Sequence, residues 1–159
     1  MLFIDASVAV AIITRENDAD ALMEQLERQG GPFYVSAIMR LEATLSIARR
    51  LAGSDTPATP DMVATARRLV DQFIADLEAR EIDVTGDIGV KALDAAQQFG
   101  KIVNHPARLN LGDCLTYACA AASKAAKDSG VERSSTTPTI TSVPRSTFAG
   151  AISARTERM

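Results

Sequence analysis

The 159-residue chain has no tryptophan, a single histidine, two cysteines and a net charge of only −3, and each shortage closes off some chemistry. His105, in the loop Asn104-His105-Pro106-Ala107, cannot build a His-based zinc site by itself and reads as a structural loop residue. Cys114 and Cys119 lie in a helical pattern about 140° apart around the axis, so they neither pair nor share a metal. They read as buried thiols of a reducing compartment. No apolar run approaches the roughly 18 residues of a membrane helix, and no basic, apolar and cleavable leader is visible; a cytoplasmic location is expected. The weak net charge argues against a global pull on nucleic acid, and Arg49/Arg50 and Arg67/Arg68 read as solvated helix faces in preference to a basic groove. The G-x-x-x-x-G-K-[ST], H-E-x-x-H and G-x-G-x-x-G patterns are all missing.

What remains is an ordinary globular composition, 47% apolar and 23% charged, long enough for one domain with a core and no disulfide staples. Short apolar runs alternate with helical periods, which predicts an α/β fold with a parallel sheet. Strands are expected at Leu2–Ile4, Phe33–Val35 and Ile82–Val84. Ser7 is expected to cap the first helix, Asn17 or Asp18 the second, Ser36 the third and Asp87 the one ending near Phe99-Gly100. The third helix is read with an apolar stripe of Ile38, Leu41, Leu45 and Ala48. Gly53–Pro60 is a surface loop, followed by a helix with Met62, Ala66, Leu69, Phe73 and Leu77 on one face.

Three acids stand out by position. Asp5 ends the first strand, where it either caps the next helix or stands at the crevice where open α/β sheets bind ligands. Glu42 flanks the stripe of the third helix, and a carboxylate turned toward a core must be paired, protonated or bound to a cation; Arg40 or Arg49 is the simple partner. Asp113 follows Gly112 at a helix start, where capping is the default role. Taken together they suit a hard cation such as Mg²⁺ or Mn²⁺, which takes oxygen ligands and keeps several waters. A receiver-like domain with Asp5 as phosphoacceptor is disfavoured because no lysine sits at a strand end.

The segments "MLFIDASVAVAII", "YVSAIMRLEATL" and above all "FGKIVNHPARLNLGDCLTYACA" resemble the PIN-domain ribonucleases, specifically the VapC-type toxins of bacterial toxin–antitoxin pairs, from Met1 to about Glu132. The resemblance implies an α/β/α sandwich around a short, mostly parallel sheet, and Mg²⁺- or Mn²⁺-dependent endonucleolytic cleavage of RNA. It matches Asp5, Glu42 and Asp113 to the family's catalytic, metal-binding acids, and Ser7 to the hydroxyl residue that supports the first acid and caps its helix. It implies a VapB-type antitoxin that occludes the site and supplies DNA binding, and a homodimer. The alternative is a catalytically impaired PIN-like module that binds an antitoxin or a sister subunit.

Residues 133–159 depart from this pattern. Where the family has a strand and an acid-bearing turn, the chain reads "SSTTPTITSV", a Ser/Thr-rich tail expected to be disordered. Read one base earlier, the codons open to Ser134–Ser142 can encode Leu-Leu-Tyr-Asn-Thr-Asp-Asp-Tyr-Phe. A shift of frame near Glu132–Ser134, in the gene or its recorded sequence, is therefore expected. An intact mass separates the two.

Overall fold

The computed structural model describes residues 2–128, with side chains described through residue 122. The Ser/Thr-rich segment, the missing acid-bearing turn and the expected frame shift lie outside the described residues. The element order is β1 (Leu2–Phe3), α1 (Ala6–Ile13), α2 (Ala19–Gln29), β2 (Phe33–Ser36), α3 (Ala37–Ala52), α4 (Pro60–Asp76), β3 (Arg80–Ile82), α5 (Gly86–Phe99), a 3₁₀ turn (Lys101–Val103) and α6 (Leu111–Asp128). Among these residues no helix is long and apolar enough to cross a membrane.

The described strands form one parallel sheet in the order β1-β2-β3, with Leu2 opposite Phe33, Tyr34 opposite Arg80 and Ser36 opposite Ile82. Parallel pairing requires crossover helices, and these cover both faces. Ile4 and Val35 join a core with residues of α1 to α4, including Met39, Ala43, Ile47, Val70 and Phe73. Phe3 and Ile82 pack against a second cluster of Ile88, Ala92, Ala95, Cys114, Ala118 and Cys119 from α5 and α6. The result is the expected α/β/α sandwich.

Side-chain caps start the helices where the strands end. Ser36 Oγ accepts from Met39 N at 3.2 Å, as expected, and Thr59 and Thr85 cap α4 and α5. Thr85 therefore takes the role expected of Asp87, which lies inside α5. Asp18 holds the cap position of α2 without a side-chain bond. The third strand lies two residues earlier than expected, because the chain must reach Ser36 in register and leave Thr85 free to cap.

The stripe of α3 also differs from expectation. Leu41 and Leu45 are 55% and 45% exposed, while Met39, Ala43, Thr44, Ile47 and Ala48 are buried. Helix α3 packs on both α1 and α4. The face carrying alanines admits those neighbours closely, so packing selects it over the face carrying leucines.

Candidate functional site

The carboxyl end of β1, one face of α3 and the start of α6 meet at one cleft of about 520 Å³. Its lining includes Asp5, Ser7, Glu42, Ser46, Arg49, Asn110 and Asp113. An open parallel sheet presents a crevice at this edge because its crossover helices all begin there.

Asp5 ends the β1 ladder, one residue after Ile4 N donates to Tyr34 O at 2.8 Å. Its side chain, not that of Ser7, caps α1: Asp5 Oδ2 accepts from Ser7 N at 3.1 Å and from Ser7 Oγ at 2.5 Å. The expected cap at Ser7 is therefore corrected. Ser7 already lies in the first turn of the helix, so its hydroxyl reaches back to hold the acid. Both bonds use one carboxylate oxygen, and Oδ1 takes part in neither. The two roles considered for Asp5 are compatible.

Asp113 is placed by a reciprocal pair. Asn110 N donates to Asp113 Oδ2 at 2.8 Å, and Asp113 N donates to Asn110 Oδ1 at 3.0 Å. This is capping-box geometry, with the acid at the third helical position, and it again engages a single carboxylate oxygen.

Glu42 approaches from α3. Arg40, its simplest partner, is occupied elsewhere: its guanidinium binds Asp71 of α4 and Glu81 of β3, with Nε 3.1 Å from Glu81 Oε2. Among the described residues neither Arg40 nor Arg49 pairs with Glu42. Burial first, then the negative charges of Asp5 and Asp113, hold the Glu42 carboxyl above its ordinary pKa range. That repulsion places the three acids in one electrostatic neighbourhood. Gly112 makes room for the approach: a Cβ there would lie 2.6 Å from Glu42 Cδ and overlap the carboxylate oxygens. No group of three His, Cys, Asp or Glu side chains among the described residues is drawn tightly enough to form a ready-made chelate. The three acids line one cleft whose volume would admit an ion and its waters.

A family model of the PIN domain matches residues 2–130. The chain belongs to the PIN-domain family. It is 41% identical over 133 residues to a VapC ribonuclease of Rhizobium meliloti (strain 1021), covering 82% of this chain and 89% of that one. It is 34% identical over 119 residues to Ribonuclease VapC42 of Mycobacterium tuberculosis, covering 75% and 82%. Ribonuclease VapC28 of the same species matches at 31% over 119 residues, covering 75% and 80%. The resemblance to VapC-type PIN domains read from the sequence is borne out, with its fold.

Sequence reasoning missed two contributors to the site of this PIN domain. Asn110 carried a signal, since Asn and Asp three residues apart form a capping box; the hydrogens of Gly112 became legible only when Glu42 was found against them. Arg49 and Arg50 are exposed as expected, and the face they present to solvent is also a wall of the cleft. Arg67 and Arg68 are exposed as expected. His105 is a loop residue whose Nδ1 accepts from Ala107 N at 3.1 Å. Both cysteines are buried, as expected.

Proposed function

We propose that the chain is a metal-dependent endoribonuclease that hydrolyses RNA phosphodiester bonds, the toxin of a VapBC-type pair, with Asp5, Glu42 and Asp113 as ligands for Mg²⁺ or Mn²⁺. The observation that carries this reading is the meeting, in one cleft, of Asp5, Glu42 and Asp113 from separate segments, with Glu42 left without a cationic partner among the described residues; the fourth acid of the lining, Glu16, is paired with Arg50. The donor set is all oxygen, which suits a hard cation, and mutual repulsion is the penalty such a cation relieves. When bound, it supplies Lewis acidity to the scissile phosphate and the attacking water.

The remaining work falls to the chain. Ser7 and Asn110 each occupy one oxygen of an acid, fixing its orientation while leaving the other for coordination. Gly112 admits Glu42 between them. No side-chain nucleophile is required, and Ser7 spends its proton on Asp5. In this reading the protein acts in the cytoplasm and pairs with itself as a homodimer. A VapB-type antitoxin covers the cleft and supplies the only contact with DNA. Sedimentation over a dilution series tests the homodimer; a monomer at every concentration overturns it.

The lack of a ready-made chelate among the described residues favours a second reading, an impaired PIN module that binds an antitoxin without cutting RNA. Asp5→Asn separates the two. Wild-type protein cleaving structured RNAs with Mg²⁺ or Mn²⁺, and arresting growth, while the variant does neither, supports the nuclease. Cleavage that survives the substitution defeats the metal-site mechanism, and an inert wild type favours the binding module.

A further inference from the structure

On α3, Glu42, Ser46 and Arg50 recur every four residues along the same cleft, as do Leu45 and Arg49 beside them. They give the cleft a polarity. Its acidic end holds Asp5, Glu42 and Asp113; its basic end lies two helical turns away, roughly 10 Å along the axis. The two arginines at that end differ. Arg50 Nη2 is held by Glu16 Oε1 at 2.6 Å, which neutralises it within the protein. The Arg49 side chain is exposed and makes no hydrogen bond or ion pair among the described residues.

We propose that Arg49 is a phosphate-positioning residue, gripping an RNA phosphate that flanks the one held at the carboxylates. The proposal rests on the ribonuclease reading and extends it to how the strand lies. With a cation at the acids serving the scissile phosphate, a flanking phosphate still needs a partner of its own, and the suitable one is a charge in the same cleft that no protein carboxylate already satisfies. Arg49 meets that condition. Its planar fork binds phosphate oxygens in pairs, which fixes orientation as well as charge. Because it lies two turns from the acids, its contribution falls on binding and register, not on the bond-breaking step. Ser46, one turn from both Glu42 and Arg49, marks the path between the two ends.

A cation in the last turn of α3 also complements the helix dipole, and a purely structural Arg49 would do no more. The test therefore reads quantities that a structural role leaves alone. Steady-state cleavage of a panel of labelled RNA hairpins with Mg²⁺ is compared for wild type, Arg49→Ala, Arg49→Lys and the control Arg67→Ala on the exposed face of α4. Binding of the same hairpins is followed by anisotropy in an Asp5→Asn background across salt concentrations. The expected result for Arg49→Ala is a KM raised about 5- to 20-fold with kcat within about twofold, and a log–log salt slope shallower by about 0.7 to 0.9. Arg49→Lys recovers the slope and part of KM, while Arg67→Ala matches wild type. An unchanged KM and slope in a cleaving enzyme overturns this inference alone, as does a loss confined to kcat or an equal loss in the Arg67 control. A wild type that neither binds nor cleaves any hairpin overturns it together with the ribonuclease reading.

Discussion

The first turn of α6 separates two cavities of opposite character. Asp113 faces the cleft of about 520 Å³ that holds the acids, Leu111, Cys114 and Leu115 face a groove of about 670 Å³ shared with Gly89, Ala92, Leu93 and Ile102, and Asn110 borders both. The groove is the larger and the more apolar, and size alone would single it out. It nevertheless offers no cluster of titratable groups. The smaller cleft gathers carboxylates against their mutual repulsion, and an arrangement that opposes its own electrostatics needs a functional reason. Chemistry, not volume, distinguishes the two.

The comparison breaks most sharply at Asp5. Asp5→Asn is expected to lower metal-dependent RNA cleavage by at least about 10²–10³-fold, the scale of losing one preorganised group at a reacting centre. Asparagine caps helices as well as aspartate, so thermal stability should hardly change. Asp5→Ala removes the cap as well and should cost about 0.5–2 kcal/mol in denaturant unfolding. Equal stability losses for the two variants would mean that the cap is unimportant.

Gly112→Ala tests the boundary between the cavities. Alanine favours a helix by up to about 1 kcal/mol, yet its Cβ displaces the Glu42 carboxylate. Cleavage should fall by about 10- to 100-fold, with weaker Mg²⁺ binding by calorimetry, while the helix is retained by circular dichroism. On the groove side, Leu93→Gln should leave cleavage within about twofold, because Leu93 is 70% exposed and remote in chemistry from the acids. A large loss there would erase the distinction between the cavities.

Smaller effects come from burial and charge. Because its charged form is disfavoured in the folded chain, Glu42→Gln should raise the melting temperature in chelator by about 1–3 °C and blunt the rise that Mg²⁺ produces in wild type. Burial pushes the Cys114 and Cys119 thiols up, with Asp113 adding to the effect at Cys114. Both should react with a thiol reagent at neutral pH only slowly when native and readily in denaturant. Rapid labelling of Cys114 alone would show that the groove opens to its floor.

Much of the fold was legible because local chemistry and tertiary role coincided. Ser36 ends a strand and caps a helix, so the turn that presents α3 is written in adjacent residues. The β1–α1 junction was legible as a position, but not as a division of labour between Asp5 and Ser7. Either oxygen can cap a helix, and the choice depends on where the β1 ladder stops. Helix α3 was misread for a different reason. It is apolar on more than one face, and periodicity cannot say which face its neighbours will take.

The sequence by itself determined the alternation of strand and helix, the acids at strand and helix ends, the buried cysteines and the family. These depend on residue type and short spacing, which the chain carries locally. Only the tertiary structure decided that Arg40 belongs to Asp71 and Glu81, that Gly112 yields its side-chain space to Glu42, and that Arg49 shares a cleft with the acids. Such contacts join residues tens of positions apart, and their partners are chosen by how the helices dock on the sheet.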